Sequence, residues 1–488
     1  MLQKSNTVEL FTKKVGNFIN NNFIYVDENL SLKEGIKLLQ NNKKSTILLK
    51  NHTGLSGIIT EKDIMRKFTF KIDGSQKLKE VMTKNVKFVY YDDLLFHAVG
   101  KMRKNNFNHL PVLNHEYDIV GMIDMNQALS AELGNITYHI DRMTFDEDDK
   151  NSLKKIKENQ IEIAESMLNR NLFPFDITFL LSFLNNVIYR RAIRLAEKKI
   201  SQLKIIERIP KYSVIVMGSG GRMESFLHPD QDNGIIYETS NEYETSKVEK
   251  YFKELSKIFT KTLNDCGIPF CKGNLMASNP LWRKSLSDWK KQIDYWLFSH
   301  KPQDMRNIDM LYDFRSVYGH ENLAVELKKY INKKFKEKKY LKFLYFSEEQ
   351  SNAAIGFFGQ FILEKNDEEN KGLLNLKHTG TLPLVESIRL YSIKSEIIKT
   401  NTLDRLDELE KLEVFNKDDI DFYKNAYKFM SNLLLKNQVN RAKKGLEIKN
   451  FIDPKNLSFR EKKILKLYLK KVRELKKKVR GDIGEEYF

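Results

Sequence analysis

A chain of 488 residues with 41% hydrophobic side chains, only 9 prolines and 22 glycines is folded and helix-rich, with length for roughly three domains; this excludes intrinsic disorder. The net charge of +18 sits largely in Lys runs such as 333–339 and 462–480, interleaved with Glu and apolar residues at helical spacing. It permits RNA, an acidic protein or a nucleotide as partner and chooses none of them.

No apolar run reaches the ~18 residues needed to cross a bilayer. The nearest, Phe173 to Tyr189, carries Asp176, Asn185 and Asn186. The N-terminus MLQKSNTVELF has no signal-peptide core, so the expectation is a cytoplasmic protein without a membrane partner.

The first ~130 residues hold an internal repeat. One copy runs from Ile24 through STILLKN to GIITEKDIM, the other from Val86 through NHLPVLN to GMIDMNQAL. Each reads strand, amphipathic helix, strand, strand, helix, with Leu38 and Leu39, or Ala98, Val99 and Met102, on the apolar helical face. This unit, with His109-Leu110-Pro111-Val112 and the linker Val81-Met82-Thr83, resembles a tandem pair of CBS domains. The resemblance implies a homodimerising module that binds adenine nucleotides, Thr60 donating to a phosphate and Asp63 accepting from ribose. The second copy departs from the pattern with Asp124 and Gln127, which implies at most one good site per pair. Thr60 as a helix N-cap is the plain alternative.

From about 136 to 205 apolar residues recur at three- and four-residue spacing. The pattern predicts a helix hairpin linking the repeat to the remainder of the chain.

Residues 211–237, KYSVIVMGSGGRMESFLHPDQDNGIIY, read as a buried strand over Val214–Val216, a glycine-rich turn, and a second strand opening at Asp230-Gln231-Asp232. Backbone N–H groups in such a turn can cradle phosphate oxygens. Alternation along a strand puts Asp230 and Asp232 on one face. Adjacent carboxylates repel, so one keeps a proton unless a cation sits between them. Mg²⁺ or Mn²⁺ bound to oxygen ligands and substrate phosphates would supply that cation.

A Gly-Ser turn followed by Asp-x-Asp resembles the DNA polymerase beta-type nucleotidyltransferase superfamily. The forms GSGGRMES and DQDN are closest to its signal-transduction branch, similar to protein-PII uridylyltransferase. The resemblance implies Mg²⁺-dependent transfer of a nucleotidyl group from an NTP to an acceptor hydroxyl. Asp230 and Asp232 would be metal ligands and catalytic residues, and Gly218 and Ser219 would hold the triphosphate. Asp313, in MLYDFRSVYG, would be the third catalytic and metal-binding carboxylate, with Asp309 the weaker rival and a structural pairing of Asp313 with Arg315 the plain alternative. Arg222 is a candidate phosphate contact and Glu224 a support for the turn or a partner of Arg222. Arg283, in the segment MASNPLWR, is a second triphosphate candidate beside Trp282, which either stacks on a base or anchors the core.

Tyr243 to Cys266 reads as an amphipathic helix capped by Gly267. Cys266 and Cys271, five apart with no histidine cluster, read as core thiols. After about 326 the segments GFFGQF, LNLKHTGTLPLVESIRL, NTLDRL and LLLKNQ resemble the helical substrate-binding-like domain that accompanies these transferases. Lys377, Arg389, Arg405 and Gln438 are its polar candidates, Lys377 in a loop.

The expected architecture is thus an α+β multidomain chain. A tandem CBS pair spans 1–135, a helical linker 136–205, a nucleotidyltransferase core with a mixed sheet 206–325, and an all-helical C-terminal domain 326–488. The expected activity is nucleotidyl transfer to a signalling-protein acceptor, adjusted by adenine nucleotide at the CBS pair. An RNA 3′-end nucleotidyltransferase and a non-catalytic adenine nucleotide sensor are the alternatives.

Overall fold

The computed structural model describes residues 14–51, 54–64, 75–93, 95, 98, 101–102, 107–114, 116–124, 150–169, 171–239, 244–299, 301–348 and 352–485. The chain divides into two compact units, Met1–Asp146 and Glu147–Phe488.

In the first unit the repeat becomes two three-stranded sheets of identical topology. Strand β1 (Ile24–Asp27) runs parallel to β2 (Thr46–Asn51), which pairs antiparallel with β3 (Gly54–Thr60). In the second copy β4 (Val89–Tyr90), β5 (His109–Leu113) and β6 (Ile119–Asp124) repeat that order. Helix α1 (Leu32–Asn42) joins β1 to β2. It starts in a capping box between Ser31 and Glu34 and buries Leu32 and Leu39 against Ile47, Leu49 and Ile59. Ala98 and Met102 are buried in the second copy. Val99 and Gln127 lie outside the described residues. The copies also interlock: Asn20 bridges to Met122, and Thr83 to Ile58.

The second unit is built on a mixed four-stranded sheet. Its strands are β7 (Tyr212–Val216), β8 (Asn233–Tyr237), β9 (Arg283–Ser285) and β10 (Arg315–Gly319), in the order β10-β7-β8-β9 with only β8 and β9 parallel. Every residue of β7 and β8 is buried, because helices cover both faces. Two helices precede the sheet, α2 (Lys150–Asn169) and α3 (Pro174–Ser201). Described residues of the expected linker are therefore helical, and α3 packs along α5 (Thr245–Asp265) inside this unit. It is a wall of the core, because its apolar positions leave almost no solvated face from Ile177 to Ile193.

Three local elements differ from the expectation. The glycine turn is a short helix, α4 (Gly218–Arg222), entered through Gly218 at φ 55° and left through Met223 at φ 62°. Strand β8 opens at Asn233, directly after the acids, although Met217 N–H still donates to the Asp232 carbonyl at 2.9 Å. Helix α5 starts at Thr245, Tyr243 being outside the described residues, and is followed by Gly267 at φ 96°.

Further helices follow: α6 (Leu286–Ser299), α7 (Pro302–Tyr312), α8 (Glu321–Phe335), α9 (Lys338–Glu348), α10 (Leu382–Lys394), α11 (Thr402–Lys411), α12 (Lys417–Lys443) and α13 (Phe459–Val479). The C-terminal region is mainly helical, and departs from the all-helical expectation in an irregular stretch over much of 352–373 and in a two-stranded ribbon, Leu374–Asn375 with Phe451–Ile452. Among the described residues no helix is long and apolar enough to cross a membrane.

Gly221 is the tightest point of the glycine segment. A Cβ there would lie 1.9 Å from the Asp313 carbonyl oxygen and 3.0 Å from Phe314 Cα, both backbone and unable to yield. Gly221→Ala is expected to destabilise the second unit by about 3 kcal/mol, read by chemical denaturation. Gly218→Ala meets its neighbours only at 3.3 Å and beyond, and its loss comes mainly from the positive φ, about 1 kcal/mol. Equal losses at the two positions would refute this account.

Candidate active site

Asp230 and Asp232 converge. One carboxylate oxygen from each and the Sγ of Cys271 all lie within 4.8 Å of one another. The residue between the acids sets this facing. Gln231 is fully buried and turned inward, its Nε2 donating to the carbonyls of Thr260 and Ile268 at 2.9 Å, and its backbone N–H donating to the Pro269 carbonyl at 3.0 Å. With Gln231 turned inward its two neighbours face the other way, although the strand itself opens only at Asn233.

The glycine helix α4 closes over the same point. A Cβ on Gly218 would stand 3.4 Å from Asp232 Oδ2, so the carboxylate lies against bare backbone. A cavity of about 20 Å³ opens between the two segments, with room for one water or ion. It is lined by Ser219, Gly220, Asp230 and Asp232, and by Asn185, Asn186 and Tyr189 of α3. Asn233 ties the wall together, its amide reaching Tyr189 Oη at 3.4 Å and its Oδ1 accepting the Ala277 N–H at 2.9 Å.

Burial and the neighbouring Asp230 push the Asp232 carboxyl up to about 7; the Cys271 thiol and the charges of Lys377 and Arg222 oppose that rise. Asp232 Oδ1 is enclosed and has no hydrogen-bond partner. Burial and Asp232 likewise push the Cys271 thiol up to about 12. An enclosed acceptor without a donor, beside a second carboxylate, is the donor set of a divalent cation, so the residues fit such an ion.

The raised value has a consequence for stability. Between the ordinary carboxylate value and about 7 the native state holds a proton that the unfolded chain has released, so stability falls as pH rises through that window. Without metal, Asp232→Asn is expected to stabilise the fold by roughly 1–3 kcal/mol at pH 8 and by almost nothing at pH 4. Parallel wild-type and variant melting curves against pH would refute it.

Asp313 is placed differently from the expectation. It is fully buried, and its carboxylate is enclosed by Arg405 (Nη2 to Oδ1, 2.6 Å), Arg222 (Nη1 to Oδ2, 3.1 Å) and Arg389 (Nη1 to Oδ2, 3.4 Å). Burial alone would raise its pKa, but the charges of Arg405, Arg389 and Arg222 hold it well below the usual carboxylate range. Both oxygens are committed to guanidinium groups, so Asp313 does not join the acid pair as a third ligand. Two further acids complete the network. Arg389 also pairs with Asp309, and Arg222 Nε donates to Glu224 Oε2 at 2.8 Å. Glu224 Oε1 accepts the Thr402 N–H at 2.6 Å, fastening α4 to α11. Arg222 thus faces two carboxylates rather than an open phosphate site.

Arg283 is also engaged elsewhere. Its Nη1 donates to the carbonyls of Ala277 (2.5 Å) and Ser278 (3.1 Å) and to Ser256 Oγ (3.0 Å), so it organises the 274–279 loop. Trp282 is 1% exposed and packs with Trp289 and Trp296, which leaves no face for a base.

The loop that delivers Asp230 is gripped from both sides. Leu227 N–H donates to Gln438 Oε1 at 3.1 Å, and the Leu227 carbonyl accepts from Lys157 Nζ at 2.8 Å. Lys157 is buried, bonded also to Gln160 and Asn185, and burial pushes its ammonium down to about 7. Sequence reasoning missed Asn185, Asn186, Tyr189 and Cys271. Two asparagines inside an apolar run were the visible signal, since buried amides need a purpose.

In the first unit Thr60 and Asp63 form a capping box. Thr60 Oγ1 donates to Asp63 Oδ2 at 2.8 Å and accepts the Asp63 N–H at 3.3 Å. At the matching register of the second copy Asp124 Oδ2 stands 3.0 Å from His109 Nδ1.

Comparison with known proteins agrees with this organisation. Residues 15–69 and 78–134 match the CBS domain. Residues 158–303 match "Putative nucleotidyltransferase DUF294" and residues 338–483 match "Putative nucleotidyltransferase substrate binding domain". Homoserine O-acetyltransferase of Methanosarcina acetivorans is 31% identical over 121 residues, 25% of this chain and 22% of that one. Arabinose 5-phosphate isomerase KdsD of Francisella tularensis is 33% identical over 90 residues, 18% of this chain and 27% of that one. The chain therefore spans about a quarter of the length of these relatives. Among solved structures, the CBS domain pair of protein MJ0100 in complex with 5′-methylthioadenosine and S-adenosyl-L-methionine is 25% identical, covering 26% of this chain and 98% of that one at a TM-score of 0.23. The chain thus carries a CBS domain pair, then a domain of the kind described as "Putative nucleotidyltransferase DUF294", then its substrate binding domain.

Proposed function

We propose that the second unit transfers a nucleotidyl group from an NTP to an acceptor hydroxyl, with a divalent cation held by Asp230 and Asp232. The observation that carries this is the convergence of the two carboxylates beside α4, with Asp232 Oδ1 enclosed and unpartnered. When bound, the cation neutralises phosphate charge and orients the phosphoryl oxygens for in-line attack. The chain's own residues do the rest. Gly218 lets substrate approach bare backbone, and Ser219 and Gly220 line the cavity at the strand-to-helix turn. Lys157 and Gln438 hold the 227–230 loop so that Asp230 stays opposite Asp232. Lys377, from the C-terminal domain, brings a positive charge toward Asp232 and is suited to a substrate phosphate. Asp313 with Arg222, Arg389 and Arg405 forms the internal frame that keeps α4 in place.

By family resemblance the acceptor is a signalling-protein hydroxyl, and adenine nucleotide at the CBS pair adjusts activity through Thr60 and Asp63. The test is to incubate the chain with each labelled NTP, Mg²⁺ or Mn²⁺ and cell lysate, and to identify what becomes labelled. Failure of every NTP to label any acceptor would count against transfer. One observation favours a second reading: among the described residues only two carboxylates converge, which suits a protein that holds a metal–nucleotide complex without turnover. Tight nucleotide binding with no labelling would select it.

A further inference from the structure

We infer that Cys271 is a third ligand at the Asp230–Asp232 site, and that this O₂S set takes a borderline-soft divalent ion of the Co²⁺, Zn²⁺ or Cd²⁺ class in preference to Mg²⁺. The inference rests on the reading that the two carboxylates hold a cation.

Three observations lead to it. First, the thiol is within 4.8 Å of both carboxylate oxygens, and its placement is not incidental. Gln231, the residue between the acids, binds the carbonyls of Ile268 and Pro269, so the segment bearing the acids and the loop bearing Cys271 are pinned together by one residue. Cys266, also buried, has its Sγ 3.6 Å from the Lys150 carbonyl and is not in the group. Second, Asp232 Oδ1 is enclosed with no hydrogen-bond partner, so the pair of acids keeps an uncommitted acceptor. Third, Asp230 is exposed while Cys271 is buried, so the group sits at the edge of solvent, from which a water can complete an ion's shell.

Softness then selects the ion. Mg²⁺ takes oxygen ligands and waters and gains nothing from a sulfur. A tetrahedral ion needs three protein ligands and one water, which two carboxylates, a thiol and the solvent beside the exposed Asp230 provide. Thiolate sulfur favours the softer ions over Mg²⁺. On coordination the S–H bond gives its proton to solvent and the sulfur lone pair goes to the metal, so each ion bound releases a thiol proton.

The chain has two cysteines, so Cys266→Ser leaves Cys271 as the sole thiol. Titrating the full-length Cys266→Ser protein with Co²⁺ should produce a thiolate-to-cobalt charge-transfer band that saturates near one ion per chain. Cys271→Ser, and Cys271→Ala as a second variant against misfolding, should lose the band and weaken Co²⁺ binding by roughly tenfold or more. Excess Mg²⁺ should not displace the band. A band that persists in the Asp230→Asn/Asp232→Asn variant would place the sulfur site elsewhere and overturn the inference. Equal Co²⁺ affinity in wild type and both Cys271 variants with no band would overturn it while leaving the two-carboxylate cation site standing. If Mn²⁺ and Co²⁺ bind none of these proteins, the cation site falls with it.

Discussion

Asp230→Asn combined with Asp232→Asn is expected to abolish labelled nucleotide transfer, by roughly a thousandfold or more, while the chain stays folded. Both halves of that expectation follow from the site. The acids are the convergent oxygen donors beside α4, and the buried arginines nearby pair with Glu224, Asp309 and Asp313 instead, so removing the charge of the two acids breaks no buried ion pair. The repulsion between them is relieved, and the apoprotein should melt no lower than wild type. Electrostatic stabilisation of a transferring phosphoryl group is the largest contribution such a site makes, and it is lost with the cation. Mn²⁺ binding followed by electron paramagnetic resonance should vanish in parallel. Transfer that survives the double substitution would remove these residues from the chemistry.

Asp313→Asn is expected to act in the opposite way, by costing about 3–5 kcal/mol of stability. The substitution leaves Arg222, Arg389 and Arg405 buried around a neutral amide, with Asp309 and Glu224 left to pair with Arg389 and Arg222. It also loosens α4 and α11, which Arg222 and Arg405 join to the C-terminal end of α7 through that carboxylate. The stability that Asp313 contributes is present above the ordinary carboxylate value, because its folded pKa is held far below it, and it should fade only in strong acid. Urea denaturation at pH 7 measures the loss. A variant that keeps wild-type stability but loses Mn²⁺ binding would restore Asp313 as a metal ligand.

These two experiments separate roles that the linear chain could not separate. Asp230, Asp232 and Asp313 are three acids next to short apolar runs, and resemblance groups them together. Local spacing puts the first two on one side of the chain wherever the backbone is extended; here the strand opens only at Asn233, and the buried Gln231 between them sets the shared facing. Asp313 is 81 residues beyond Asp232, and whether its carboxylate meets a metal or a guanidinium depends on what α10 and α11 bring to it. Arg389 and Arg405 look like ordinary helix-surface cations in sequence; only the packing of those helices buries them at 4% and 1% exposure. The same holds for Arg283, whose segment matched but whose guanidinium closes a loop of its own backbone.

By itself the sequence determined the repeat and its β-α-β-β order, the strand-glycine-strand frame of the second unit, and the expectation that one of Asp230 and Asp232 holds a proton. All are consequences of side-chain period, glycine conformation and the repulsion of neighbouring charges. Only the tertiary structure decided that Asn185, Asn186 and Tyr189 of α3 wall the cavity, that Cys271 joins the acids, and that Asp313 is the hub of an arginine network. Those are contacts between segments tens to hundreds of residues apart, and they are fixed by how buried helices pack against the sheet, which no local pattern encodes.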